Sequence, residues 1–102
     1  MNIPKSVKIG FKDYKINMKE NVIDGGDVCY GNIFYDQEVI NIANSYSQDQ
    51  QKATLIHEAI HGVDFYLDIG LTEEQITKLG KGLYTFIKDN PDIFKESGID
   101  EA

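Results

Sequence analysis

The spacing of apolar residues along this chain changes once, near residue 47. Over 6–19, SVKIGFKDYKINMK, they alternate: Val7, Ile9 and Phe11, then Tyr14, Ile16 and Met18. Alternation marks half-buried strands, and Lys12-Asp13 between the two sets reads as the tight turn of a hairpin. NVIDGGD, 21–27, is rich in turn formers and reads as a loop. Residues 28–43, VCYGNIFYDQEVINIA, predict a second pair of short strands around Asp36-Gln37-Glu38. Val39, Ile40 and Ile42 in that stretch are β-branched, as a partly buried strand prefers.

Beyond that point the period is helical. Ser47-Gln-Asp-Gln50 matches a capping box and opens a helix running to about Phe65 or Leu67, with Gly70 as its stop. Thr72-Glu-Glu-Gln75 is a second such box, followed by Ile76, Leu79, Leu83, Phe86 and Ile87 on one face. That helix must end before Pro91, because proline pushes its predecessor out of helical space. The tail is expected to fray after Phe94, leaving 95–102 outside the packed body. Strands first and helices afterwards predict an α+β fold: a small antiparallel sheet followed by two main helices.

The chain has 102 residues, which suits one domain spanning 1–102 with a single modest core. Net charge is −7 and every basic residue is lysine. That balance argues against nucleic acid as a partner, since neutralising phosphate dominates such binding. No apolar run approaches the roughly 20 residues that span a bilayer. The opening stretch MNIPKSVKIGFKDYK has no apolar h-region, so no secretory signal is expected. Cys29 is the lone cysteine, which suits a reducing cytoplasm and leaves nitrogen and oxygen to hold any metal.

Both histidines fall in TLIHEAIHGVD, 54–64, as His57-Glu58-x-x-His61. With His57 set at 0° on a helix, His61 falls at about 40° and Asp64 at about 340°, on one strip. Ala53, Ile56, Ile60, Val63 and Leu67 gather between about 240° and 320°, the stripe expected to face the sheet. Two imidazoles one turn apart can grip one ion. Glu58, at about 100°, is turned away from ligation but stays within reach of a metal-activated water. The bland alternative is a surface helix with two solvated histidines. Against it, the motif arises by chance in roughly one chain in several hundred. Here it also lies inside a capped amphipathic helix and uses both histidines.

TLIHEAIHGVD, with YGNIFYDQEVINIA before it and LTEEQITKLGKGLYTFIKDNP after it, resembles the small zincin-like metallopeptidases of phages and Gram-positive mobile elements. These are similar to the ImmA/IrrE family. The resemblance covers residues 28–91. It implies that His57 and His61 ligate zinc, that Glu58 is the general base, and that a glutamate on the next helix, here Glu73, is the third ligand. The fit is imperfect, because in better-known relatives that glutamate lies considerably farther along the chain. Periodicity favours Glu73 over Glu74: with Ile76 at 0°, they fall at about 60° and 160°. A first helix continuing to Leu67 would travel about 9 Å beyond His61, so Glu73 is expected to reach back only if that helix ends early, near Asp64, or the two helices cross steeply. Asp64 stays in competition as ligand or as an orienting carboxylate.

Gly80 and Gly82 are expected to permit close helix packing, and Cys29 to be a small buried apolar residue. Tyr30 and Tyr35 flank an edge strand; core packing is expected for both, with oxyanion stabilisation as the alternative. The reading as a whole is a cytoplasmic zinc-dependent peptidase. Its peptide or protein substrate, a regulatory protein by the resemblance, would lie along an edge strand within 30–42. The alternative is a non-catalytic binding or regulatory module on the same scaffold, with structural or vestigial metal. Oligomeric state is left open.

Overall fold

The computed structural model describes residues 2–95 of the chain. The elements in order are β1 (Ser6–Ile9), β2 (Lys12–Lys19), β3 (Val22–Asp24), β4 (Asp27–Cys29), β5 (Gly31–Phe34) and β6 (Val39–Ala43). Two helices follow, α1 (Gln48–Leu67) and α2 (Glu73–Asp89), and then a short 3₁₀ turn at Pro91–Phe94. The fold is α+β, with four strands in the order β1-β2-β6-β5. The tail expected to fray lies, from residue 96, outside the described residues. None of the described helices is long and apolar enough to cross a membrane.

The sheet is mixed rather than antiparallel. Both predicted hairpins form, β1 with β2 and β5 with β6, but β6 lies parallel to β2, pairing Ile16 with Ile40 and Met18 with Ile42. A parallel pair needs a long crossover. Residues 20–38 provide it, and local periodicity carries no record of it. The first turn is at Gly10-Phe11, so Lys12 and Asp13 belong to β2. Gly10 sits at φ 63°, a conformation glycine adopts without penalty. The stretch 21–27 is not a plain loop. Its β3 pairs with β4 in a two-stranded ribbon. Gly25 and Gly26 both have positive φ, as a two-residue type I′ turn requires.

Ile9, Tyr14, Ile16, Ile40 and Ile42 of the sheet close over Leu55 of α1 to form the core. The face of α1 that reaches them differs from the one predicted. Its buried residues are Thr54, Leu55, Glu58 and Gly62, roughly opposite the apolar stripe. Val63 and Leu67 of that stripe are exposed, and Ile56 and Ile60 are half-buried. The bulk comes from the strands. A Cβ on Gly62 would stand 2.9 Å from Ile9 Cδ1 and 3.5 Å from Ile33 Cδ1, so a small residue is needed there. In α2 the buried positions are Ile76, Gly80 and Tyr84, whereas Leu79, Leu83 and Phe86 face outward.

Gly31 sets the approach of α1 to the sheet edge. A Cβ there would lie 2.6 Å from both Asn41 O and Thr54 Cγ2. Gly31→Ala should therefore destabilise the protein by about 1–3 kcal/mol, the usual cost of overpacking. It should appear as a lower urea midpoint at unchanged slope. A midpoint equal to that of the wild type would mean that the strand and helix can separate freely.

Ser47 caps α1 by accepting from Gln50 N, but the Gln50 side chain turns to Thr54, so that box is only half made. The Thr72–Gln75 box is complete. Helix α1 runs to Leu67 and ends on Asp68, not glycine, in the left-handed conformation. The two helices then run in opposite directions. Tyr84 donates to Asp49, the Cβ position of Gly80 lies 3.6 Å from His57 Cβ, and Glu73 meets His61.

Candidate metal centre

Antiparallel helices and a five-residue connection, 68–72, explain how Glu73 reaches back to the histidines. Five residues can span up to about 17 Å, enough to undo the 9 Å or so that α1 travels beyond His61. The connection is held by Asp64, whose Oδ1 accepts from Gly70 N at 2.8 Å and Leu71 N at 3.0 Å. Asp64 is thus committed to the turn and does not face the histidines as a donor. Glu74 points elsewhere too, pairing with Lys78 at 3.2 Å. Early termination of α1 is not required.

Glu73 stands between the imidazoles. Its Oε2 is 3.0 Å from His57 Nε2 and its Oε1 is 3.0 Å from His61 Nε2. Burial, the larger influence, lowers the His57 pKa, although the Glu73 carboxylate opposes it. That shift favours the neutral form of the His57 imidazole, the form a metal requires. Thr77 Oγ1 lies 3.5 Å from Glu73 Oε2.

These donors suit a small ion. Donors at ~2.0–2.1 Å from a tetrahedral zinc lie about 3.3 Å from one another. In this group all three lie within 4.8 Å of one another, with both histidine–carboxylate distances at 3.0 Å. Among the described residues no fourth histidine, cysteine or carboxylate joins them. Two imidazoles and one carboxylate are three donors that can hold a divalent ion, whereas structural zinc sites are closed by four protein ligands. Glu73 is two-thirds exposed, so the group opens to solvent.

The group lines a cavity of about 800 Å³ between the helices and the β5 edge. Glu58 lines it from the sheet side and is only 7% exposed. Desolvation, reinforced by the negative charges of Glu73 and Asp24, raises its pKa from 4.5 to about 7. One residue along from His57, Glu58 faces the same cavity without belonging to the three-donor group. This is the separation predicted from the helical wheel.

Tyr35 also lines the cavity; its hydroxyl donates to His61 O at 3.3 Å and its ring stacks on Phe65. Tyr30 is exposed, edge-on to Tyr46, rather than packed in the core. Cys29 is half-buried at the cavity wall, not sealed in the core. Gly80 allows the close approach to His57, whereas nothing lies within 4 Å of a Cβ built on Gly82.

Asp24 and Asn32 of the cavity lining were not among the residues the sequence singled out. The signal for Asp24 was present: Gly25-Gly26 marks a hairpin and puts Asp24 at a strand end. Comparison with known protein families, with curated proteins and with solved structures finds no match to this chain.

Proposed function

We propose that this chain is a zinc-dependent peptidase of the zincin type, working in the cytoplasm. The observation that carries the proposal is the Glu73 carboxylate seated between His57 Nε2 and His61 Nε2 on the wall of a cavity that also holds Glu58. His57, His61 and Glu73 would hold the ion. When bound, zinc polarises a carbonyl and brings the pKa of water down to about 7. Glu58 takes the proton of the attacking water and hands it to the leaving amine. Burial keeps this carboxyl out of bulk water and ready for both transfers.

Strand β5 is an edge of the sheet and presents Gly31, Asn32 and Ile33 to the cavity. An extended peptide can pair with its free backbone groups and so lie beside the histidines. The resemblance of the motif suggests a regulatory protein as the substrate.

Purified without chelator, the protein should carry close to one zinc per chain by elemental analysis. Because the ligands join α1 to α2, zinc should also raise the melting temperature, and chelator should reverse the shift. Zinc at a thousandfold over its Kd adds about 4 kcal/mol of stability. A chain that retains no zinc and melts identically with and without it is not a metallopeptidase.

A further inference from the structure

The wall of the cavity farther from α2 has a built polar network. Asn32 and Asn41 are directly opposed on β5 and β6, and both are more than nine-tenths buried. Asn41 Nδ2 donates to Asn32 Oδ1 at 2.8 Å, and Asn32 Nδ2 donates to Asp24 Oδ2 at 3.2 Å. A carboxylate only accepts, so Asp24 dictates which way the Asn32 amide faces, and Asn32 in turn orients Asn41. The arrangement leaves Asn41 Oδ1 buried without a partner among the described residues. Two buried amides are thus aligned on one exposed carboxylate at the tip of the β3–β4 ribbon, and one polar atom goes unsatisfied as a result.

Asp24 lies where a bound peptide would feel it. Along β5, Gly31 and Ile33 face α1: the Cβ position of Gly31 meets Thr54, and Ile33 approaches Gly62. Asn32 between them faces the other way, toward Asp24. A strand added to the free edge of β5 alternates in the same manner, so every second side chain runs along the Asn32–Asp24 side. Asp24 lines the same cavity as His57, His61 and Glu58. Its exposed side chain is a carboxylate, the chemistry that a cationic side chain pairs with. Lys81, the lysine on the cavity wall, comes from α2 instead, on the opposite side.

We propose that Asp24 makes this site selective for peptides bearing a lysine or arginine close to the scissile bond, an inference that rests on the peptidase reading above. The Asn41–Asn32 pair is its positioning support.

The test is a binding measurement with zinc-loaded Glu58→Gln protein, which holds peptides without the proposed base. The probes are short extended peptides identical except at one scanned position, occupied by lysine, arginine, alanine or aspartate. At one position of the scan, lysine and arginine should bind roughly tenfold more tightly than alanine, as for a close charge pair at an interface. Adding Asp24→Asn, which can still accept from Asn32, should abolish the preference, and Asp24→Lys should turn it toward aspartate. Asp27→Asn is the control for general attraction, since it removes the same charge from the same ribbon but lies outside the cavity lining. Equal loss of preference in Asp27→Asn and Asp24→Asn overturns the proposal. So does an absence of basic preference, or of any peptide binding. Hydrolysis of the same peptides by the zinc-loaded wild type tests the peptidase reading separately. Uncut peptides with an Asp24-dependent preference would remove the reaction while keeping the subsite.

Discussion

Replacing Glu58 with glutamine should lower turnover of a peptide substrate by at least ~10²–10⁴-fold, the usual contribution of a positioned acid–base group. Glutamine keeps the size and polarity of Glu58 but cannot accept a proton from water. Zinc content should be unchanged, because Glu58 stands outside the three-donor group. Full activity in the variant would assign the base elsewhere, and lost zinc would make Glu58 a ligand. A partner bound equally by both proteins and never cut would favour the binding module.

The same substitution has a signature that needs no substrate. In the metal-free protein the Glu58 pKa is raised from 4.5 to about 7, so between those values the folded state keeps a proton that the unfolded chain has released. The Glu58 contribution to wild-type stability should therefore be fully present below about pH 4.5 and be lost progressively as pH rises toward 7. A shift of this size corresponds to about 3 kcal/mol. Glu58→Gln removes this dependence, so its stability relative to wild type should grow across that window. Parallel denaturation curves at pH 5 and pH 8 for the two proteins would show that Glu58 is not desolvated. Bound zinc, being positive, should move the window to lower pH.

Removing one of the three donors should have the other large effect. His57→Ala, His61→Ala and Glu73→Gln should each weaken zinc binding by more than the ~10–100-fold typical of changes to groups that only support a ligand. Asp64→Ala separates ligation from scaffolding. It frees the N–H groups of Gly70 and Leu71, so it should cost roughly 1–3 kcal/mol of stability while zinc stays bound. Glu74→Gln breaks only an exposed pair with Lys78 and should leave zinc untouched. Competition with a chelating dye measures all five variants. Zinc lost in Asp64→Ala but kept in Glu73→Gln would reverse the assignment.

The helices could be read from the sequence because their start signals are local: Ser47 and Thr72 cap where expected. The histidine pair and the displaced Glu58 followed from helical geometry alone. What failed was tertiary. The stripe rule turned α1 by its apolar residues, yet the helix buries Glu58 and Gly62 against the sheet and leaves Val63 and Leu67 outside. A buried carboxylate is a poor choice for core packing and a useful one for proton transfer, which is where local rules are expected to break. The parallel pairing of β2 with β6 joins segments separated by a whole ribbon, beyond any local pattern. The Asp64–Glu73 ambiguity was a question about a turn. In that turn two backbone N–H groups occupy Asp64, and Glu73 is the carboxylate that stands between the imidazoles.

The proposed peptidase chemistry depends on a zinc ion held by His57, His61 and Glu73. Anomalous diffraction at the zinc absorption edge, from crystals of the zinc-loaded protein, tests it most directly. One peak is expected within ~2.0–2.2 Å of His57 Nε2, His61 Nε2 and a Glu73 carboxylate oxygen, with Glu58 facing the ion but not bonded to it. A peak coordinated by Asp64 or Glu58 in place of Glu73, or no peak near the histidines at all, would contradict it.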